Sequence, residues 1–334
     1  MSERLPVAVL TGALGSGKTT LLARLLAHRD MGETAVLVNE LGEVGIDHHL
    51  LRQVDERTVL LASGCLCCTM RGDLADELRD LLSRRDRGEV PPFGRVVIET
   101  AGLADPAPIL YTPLSEPVVR HHFELEAVVA TVDAVHGLGR PEAIKQVAAA
   151  DTLVVTKTDV AEPGAVAELE RRLARLNPGA ALLEASFGDV EPALLFDDRS
   201  RDPRNLLDAV AFGAEALSSD NDNHSHLDNT TAFHDVQAFV LLLEEELDWT
   251  AFGIWLTMLL ASRGQDVLRV KGFLNVGGQG PLLLNGVQHV VHPPLHLDAW
   301  PDEDRRSRII VIAQGVEQEA LEASLAAFNR AARS

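Results

Sequence analysis

Short runs of apolar, largely β-branched residues recur at 7–11, 35–39, 59–62, 95–99, 127–133, 153–157 and 181–185. They are nearly all apolar instead of alternating, the pattern of strands buried on both faces of a sheet. Amphipathic stretches at 21–28, 73–84 and 165–176 separate several of the runs. Strand and helix in alternation predict an α/β domain, a mostly parallel sheet covered by helices. Around 197–232 the chain turns polar and turn-rich and reads as a linker with one short helix at 206–212. Beyond it a strand is expected at 234–243, a helix at 249–262, strands near 267–276, 282–291 and 308–313, and a last helix at 318–331. Two helices against an antiparallel sheet make a smaller α+β unit. The expected division is therefore 1–200, a linker at 201–232, and a C-terminal domain at 233–334. No internal repeat is visible.

Charge narrows the partners. The 334 residues hold 50 Asp and Glu against 30 Lys and Arg, a net of −20. No basic stripe forms, so nucleic acid and anionic membranes are not expected partners. A nucleotide stays compatible, because it needs only a local cradle of backbone amides and one Lys. The first apolar run is interrupted at Thr11-Gly12, too early for a secretory leader, and no run is long enough to span a bilayer. A cytoplasmic protein is expected.

Gly12-Ala13-Leu14-Gly15-Ser16-Gly17-Lys18-Thr19 fits G-x-x-x-x-G-K-[ST] at every fixed position, between an apolar strand and a helix. The glycines let backbone N–H groups turn toward phosphate oxygens, and the following helix N-terminus adds positive potential. Lys18 reaches the terminal phosphates, and the Thr19 hydroxyl coordinates Mg²⁺. Such a site needs a carboxylate at the end of another strand, and Val96-Val97-Ile98-Glu99-Thr100-Ala101-Gly102 supplies Glu99. Gly102 is expected to bring a backbone amide to the γ-phosphate. The run 153–157 ends in Thr156-Lys157-Thr158-Asp159. A carboxylate such as Asp159 accepts the paired donors on the guanine edge, which adenine lacks, while the Lys157 stem packs along the base. The usual guanine motif begins with Asn, where this chain has Thr156.

All three cysteines fall in one stretch, Cys65-Leu66-Cys67-Cys68, directly after Ser63-Gly64. A disulfide framework would spread them along the chain. Thiolates are soft ligands suited to Zn²⁺ and related ions. No second cysteine pair completes a structural zinc set, which favours a transferable ion and a fourth ligand from a carboxylate, His, water or another subunit. His48-His49 and His121-His122 are further candidates, though adjacent side chains rarely converge on one ion. His224, His226 and His234 lie in or next to a segment read as a solvated linker.

Taken together, Gly12–Thr19, Asn39-Glu40-Leu41-Gly42, Gly64-Cys65-Leu66-Cys67-Cys68, Glu99-Thr100-Ala101-Gly102 and Thr156-Lys157-Thr158-Asp159 resemble the CobW-type metallochaperone GTPases, relatives of the HypB and UreG nickel GTPases. The segments Lys271-Gly272-Phe273-Leu274, Trp300-Pro301-Asp302 and 307–312 are similar to that family's C-terminal domain. The resemblance implies a P-loop NTPase fold and GTP hydrolysis to GDP and phosphate. It matches Gly12, Gly15, Ser16, Gly17, Lys18, Thr19, Thr20, Glu99, Lys157 and Asp159 to nucleotide-binding positions. It matches Cys65, Cys67 and Cys68 to the metal motif and Glu40 to a switch-region carboxylate near metal and nucleotide.

The expected function is a GTP- and Mg²⁺-dependent chaperone that loads Zn²⁺ or Co²⁺ and releases it to a metal-requiring client protein on hydrolysis. GTP would order the segment around Glu40 and the cysteine loop, and by linkage metal would tighten GTP binding equally. Rival readings are a nucleotide-binding metal buffer or sensor, and a P-loop kinase for a small molecule. Oligomeric state is open, a homodimer included.

Overall fold

The computed structural model describes residues 4–39, 59–63, 72–162, 164–196, 207 and 236–333. These form two compact units. In the first, seven strands lie in the order β3-β2-β4-β1-β5-β6-β7. They are β1 (Leu5–Gly12), β2 (Thr34–Asn39), β3 (Val59–Ser63), β4 (Arg95–Glu99), β5 (Phe123–Asp133), β6 (Thr152–Thr156) and β7 (Ala181–Ala185). Every neighbouring pair is parallel. Full burial of runs such as Val7–Leu10, Val96–Ile98 and Leu153–Val155 explains why they carry no polar alternation.

Strand order decides where the chemistry lies. β1 is central, and the chain visits β2, β3 and β4 on one side before crossing to β5, β6 and β7 on the other. The order therefore reverses beside β1, and in open parallel sheets ligands bind at the strands' carboxyl ends at such a switch point. Helix α1 (Lys18–Leu26) follows β1 and buries Leu21, Leu22, Leu25 and Leu26 against Ala8, Leu10, Val36, Val97 and Val154.

Helices α2 (Gly72–Asp86) and α6 (Ala165–Leu176) correspond to the amphipathic stretches expected there. Three others begin at X-Pro: α3 (Pro106–Ser115) after Asp105, α4 (Pro117–His122) after Glu116 and α5 (Pro141–Ala149) after Arg140. Proline suits the first helical turn because that N–H has no intrahelical acceptor. A short α7 (Pro192–Phe196), a fourth helix that begins at X-Pro, after Glu191, closes the unit. β5 starts four residues before the expected run, because Glu124 and Glu126 break its apolar pattern. The strand expected to include Lys157 ends at Thr156, since Lys157 turns into the left-handed region at φ 58°.

In the second unit β8 (Val236–Leu243), β9 (Val267–Leu274), β10 (Leu282–Val287), β11 (Val290–Val291) and β13 (Ser307–Gln314) form an antiparallel sheet in the order β11-β10-β9-β13-β8. The two-residue β12 (Leu295–His296) pairs with β10. Alternate residues Phe239 and Leu241, Leu282 and Leu284, and Ile309 and Val311 meet Phe252, Trp255, Leu321 and Leu325. The last four belong to α8 (Trp249–Arg263) and α9 (Gln318–Ala332). Asn329 Oδ1 accepts from the Asp248 N–H at 2.8 Å, and Trp255 Nε1 donates to Ser324 Oγ at 2.9 Å, so the helices run antiparallel. No helix among the described residues is long and apolar enough to cross a membrane. Phe252 is 1% exposed at the centre of this core. Phe252→Ala is expected to cost about 3–5 kcal/mol, read as a lower urea midpoint for the C-terminal unit.

Candidate functional site

The carboxyl ends of β1, β4, β5 and β6 converge on one cradle. Gly12, Gly15 and Gly17 all hold positive φ, at 142°, 78° and 91°. Gly12 also has no space for a side chain, since a Cβ there would lie 2.6 Å from the Thr131 carbonyl oxygen on β5. Gly17 caps α1 without any side-chain hydrogen bond, and the first turn of α1 carries no acidic residue. The first N–H groups of the helix are thus left for an anion.

Lys18 is 7% exposed, and its Nζ donates to Gly12 O at 2.8 Å and Ala13 O at 3.1 Å, spanning the loop from below. Thr19 Oγ1 donates to Glu99 Oε1 at 2.8 Å. These two oxygens are hard donors at the mouth of a cleft of about 360 Å³, lined also by Gly17, Lys18, Thr20, Val38 and Gly102. That donor set fits Mg²⁺, which takes one or two protein oxygens and completes its shell from water and phosphate. Gly102 fits equally tightly: a Cβ there would lie 2.6 Å from both Leu14 N and Leu14 Cα.

Thr156 has a function in this chain that its motif did not reveal. Its hydroxyl donates to Ser16 O at 2.7 Å, tying the end of β6 to the phosphate loop. Ser16 Oγ in turn lies 2.6 Å from Thr131 Oγ1. Asp159 lies exposed in the turn after β6 and lines neither this cleft nor the neighbouring one. Lys157 lines both clefts, and its Nζ donates to Asp133 Oδ2 at 2.5 Å. Asp133, at the end of β5, also accepts from Val135 N at 2.8 Å and contacts His136 Nδ1 at 2.9 Å. Burial works against its ionisation. The hydrogen bonds from Lys157, His136 and the Val135 amide, with the Lys157 charge, outweigh burial and hold the carboxyl below the ordinary range.

Sequence reasoning passed over Asp133, although it closes an apolar strand just as Glu99 does. It also passed over Phe187, which is 67% exposed at φ 53° in the loop after β7. The next residue, Gly188, comes so close to α1 that a Cβ would lie 3.0 Å from Thr20 O and Leu21 Cα.

The metal candidates divide. Glu40, Cys65, Cys67, Cys68, His48, His49, His224, His226, His234 and most of the linker lie outside the described residues. Among the described residues no group of three His, Cys, Asp or Glu could hold a metal ion. His121 and His122 are exposed at the end of α4, just before Phe123, which pairs with Leu5 where β1 begins. They therefore sit at the amino ends of the strands, opposite the phosphate cradle.

Two expectations test this geometry. Gly102→Ala should lower affinity for a nucleoside triphosphate at least tenfold with an unchanged far-UV spectrum, checked by fluorescent-nucleotide titration. A carboxyl with a depressed pKa stabilises the fold at pH above its ordinary value of about 4, and that contribution is lost as pH falls through the folded value. Asp133→Asn should therefore lower the urea midpoint at pH 7 and flatten its decline on acidification below about pH 4.

A family model described as the nucleotide-binding domain of CobW/HypB/UreG matches residues 6–184, and one described as the cobalamin synthesis protein CobW C-terminal domain matches 236–329. The zinc chaperone YjiA of Escherichia coli is 33% identical over 97% of this chain and 99% of its own. The zinc chaperone CobW of Pseudomonas aeruginosa is 30% identical over 95% and 90%. A crystal structure of zinc-bound YjiA GTPase superposes with a TM-score of 0.69 at 29% identity, covering 98% of this chain and 99% of that one. With the phosphate loop, the Thr19–Glu99 pair and both domains in place, the chain belongs to the CobW/HypB/UreG family of P-loop GTPases, in the form that carries a CobW C-terminal domain.

Proposed function

We propose that the protein is a GTP-dependent zinc chaperone whose cargo is held by Cys65, Cys67 and Cys68, with Glu40 in reach of the same ion. The supporting observation is a register. Asn39 at the end of β2 pairs with Ser63 at the end of β3, and Val38 pairs with Glu99. The chain leaves Asn39 for Glu40 and Ser63 for Gly64-Cys65. Both candidate metal segments therefore start from neighbouring strand ends on the same sheet edge, the Glu40 segment one strand and the cysteine segment two strands from Glu99. A change at the terminal phosphate arises on the same sheet edge as the strand ends from which both segments start.

In this reading the amides of residues 13–19 and the α1 N-terminus bind the phosphates, and Lys18 neutralises the terminal ones. Thr19 and Glu99 would hold Mg²⁺, which when bound would offset the negative charge that develops on the phosphates during hydrolysis. Glu99 at the end of β4 and Gly102 in the loop after it line the cleft that would take the terminal phosphate, and Gly102 would offer it a backbone N–H. Thr156 fixes the phosphate loop, Lys157 lies beneath the base, and Asp159 reads the guanine edge. Cargo follows the donor set: three thiolates suit Zn²⁺ and accept Co²⁺. The zinc-chaperone names of YjiA and CobW favour Zn²⁺. Hydrolysis lowers metal affinity, and a metal-requiring client takes the ion.

A competitive zinc titration against a chromophoric chelator tests this, without nucleotide and with GDP, a non-hydrolysable GTP analogue or its ATP counterpart. The GTP analogue alone should tighten zinc binding about 5–150-fold, the usual span of coupling between two sites. Cys65→Ala or Cys67→Ala should abolish the effect. Zinc affinity indifferent to every nucleotide would sink the chaperone reading and favour a metal buffer.

A further inference from the structure

Helix α5 carries two neighbouring residues that hold the same loop from one side. Gln146 is fully buried, and its Nε2 donates to Gly102 O and to Ala104 O, each at 3.1 Å. Lys145 Nζ donates to Asp105 Oδ2 at 2.9 Å, while Asp105 Oδ1 caps α3 by accepting the Ala107 N–H at 3.1 Å. On its other side the loop meets the phosphate loop, with Gly102 packed on Leu14. At its start Thr100 N donates to Leu10 O and Thr100 Oγ1 to Thr11 Oγ1, both at 2.9 Å. The segment 100–105 is thus pinned at its base by β1 and along its length by α5.

We propose that Gln146, assisted by Lys145, is a positioning residue for GTP hydrolysis. It sets Gly102 where its N–H meets the terminal phosphate, so it governs discrimination between triphosphate and diphosphate. The chemistry favours an amide at this place. Two carbonyls pointing into a dry interior need donors, and a carboxamide NH₂ supplies both from one nitrogen. A buried carbonyl stripped of its donor loses the full desolvation cost, so the loop must move to find another partner. Because Leu14 allows no approach from the other side, that movement takes Gly102 away from the phosphate cleft.

The same helix reaches the base side. Residues 133–140 lead from Asp133, the partner of Lys157, directly into α5, and α5 leads back to β6, Thr156 and Lys157. A shift of segment 100–105 is therefore felt at both ends of the nucleotide.

The inference rests on the proposed binding of GTP at this cradle, and the experiment separates the two. Affinities for GDP and for a non-hydrolysable GTP analogue, together with kcat and KM for GTP, are measured with wild type, Lys18→Ala, Gln146→Met, Gln146→Asn and Lys145→Ala. Gln146→Met keeps the volume and removes both donors. It should weaken the GTP analogue tenfold or more and lower kcat, with GDP affinity changed less than twofold. Lys145→Ala, at a half-exposed position where folding is not at stake, should shift the same ratio in the same direction by a smaller factor. Gln146→Asn keeps the amide on a shorter stem and should recover part of the loss.

A merely structural role would lower the melting temperature and leave the GTP-to-GDP affinity ratio untouched; that result overturns the proposal. If Gln146→Met does not fold, an unchanged ratio in Lys145→Ala overturns it alone. Wild type that binds neither nucleotide, or binds both as well after Lys18→Ala, overturns the proposed function and this inference with it.

Discussion

The phosphate loop is wedged against backbone on both sides. On one side Gly12 meets the Thr131 carbonyl of β5, and on the other Leu14 meets Gly102 from the loop after β4. A side chain at either glycine would force the three strands apart, so the loop, β4 and β5 behave as one packed object. Everything at this edge inherits its position from that contact. Lys18 is drawn under the loop to Gly12 O and Ala13 O, and Thr19 lands opposite Glu99. The N-terminus of α1 faces the same space with no side chain capping it.

Parallel strands make this economical. Each strand ends at the same edge, so one sheet delivers Gly12, Asn39, Ser63, Glu99, Asp133 and Thr156 to a single rim. Polar groups that would be costly inside the sheet are tolerated at the rim because they satisfy one another. Thr156 serves the Ser16 carbonyl, Thr100 serves Thr11, and Asp133 gathers Lys157, His136 and a backbone N–H. Such mutual satisfaction makes a rim whose polar groups hold one another in place.

The C-terminal unit is held differently. Its sheet is antiparallel and takes one apolar layer from alternate positions, with α8 and α9 closing that face. Between Trp249 and Ser262 α8 contains no charged residue, and Ile254 and Met258 are more than half exposed. Its place on the sheet is therefore set by Phe252, Trp255 and the polar links to Ser324 and Asn329.

The residue pattern alone determined the two kinds of domain, because burial on two faces and on one face leave different periodicities. It determined the phosphate cradle too, since only glycines tolerate those backbone angles and only a Lys and a hydroxyl fit the motif's end. Glu99 was legible for the same reason, as a charge closing an apolar run. The X-Pro helices, the early start of β5 and the left-handed turn at Lys157 were not read, because each depends on local conformation or on neighbours that periodicity does not record. Tertiary structure alone decided that Asp133 belongs beside Lys157, 24 residues away. It also decided that Thr156 supports the loop, that His121 and His122 lie at the far edge, and that Gln146 reaches Gly102. Each of these is a contact between distant segments, set by strand order and close packing, which a linear string does not contain.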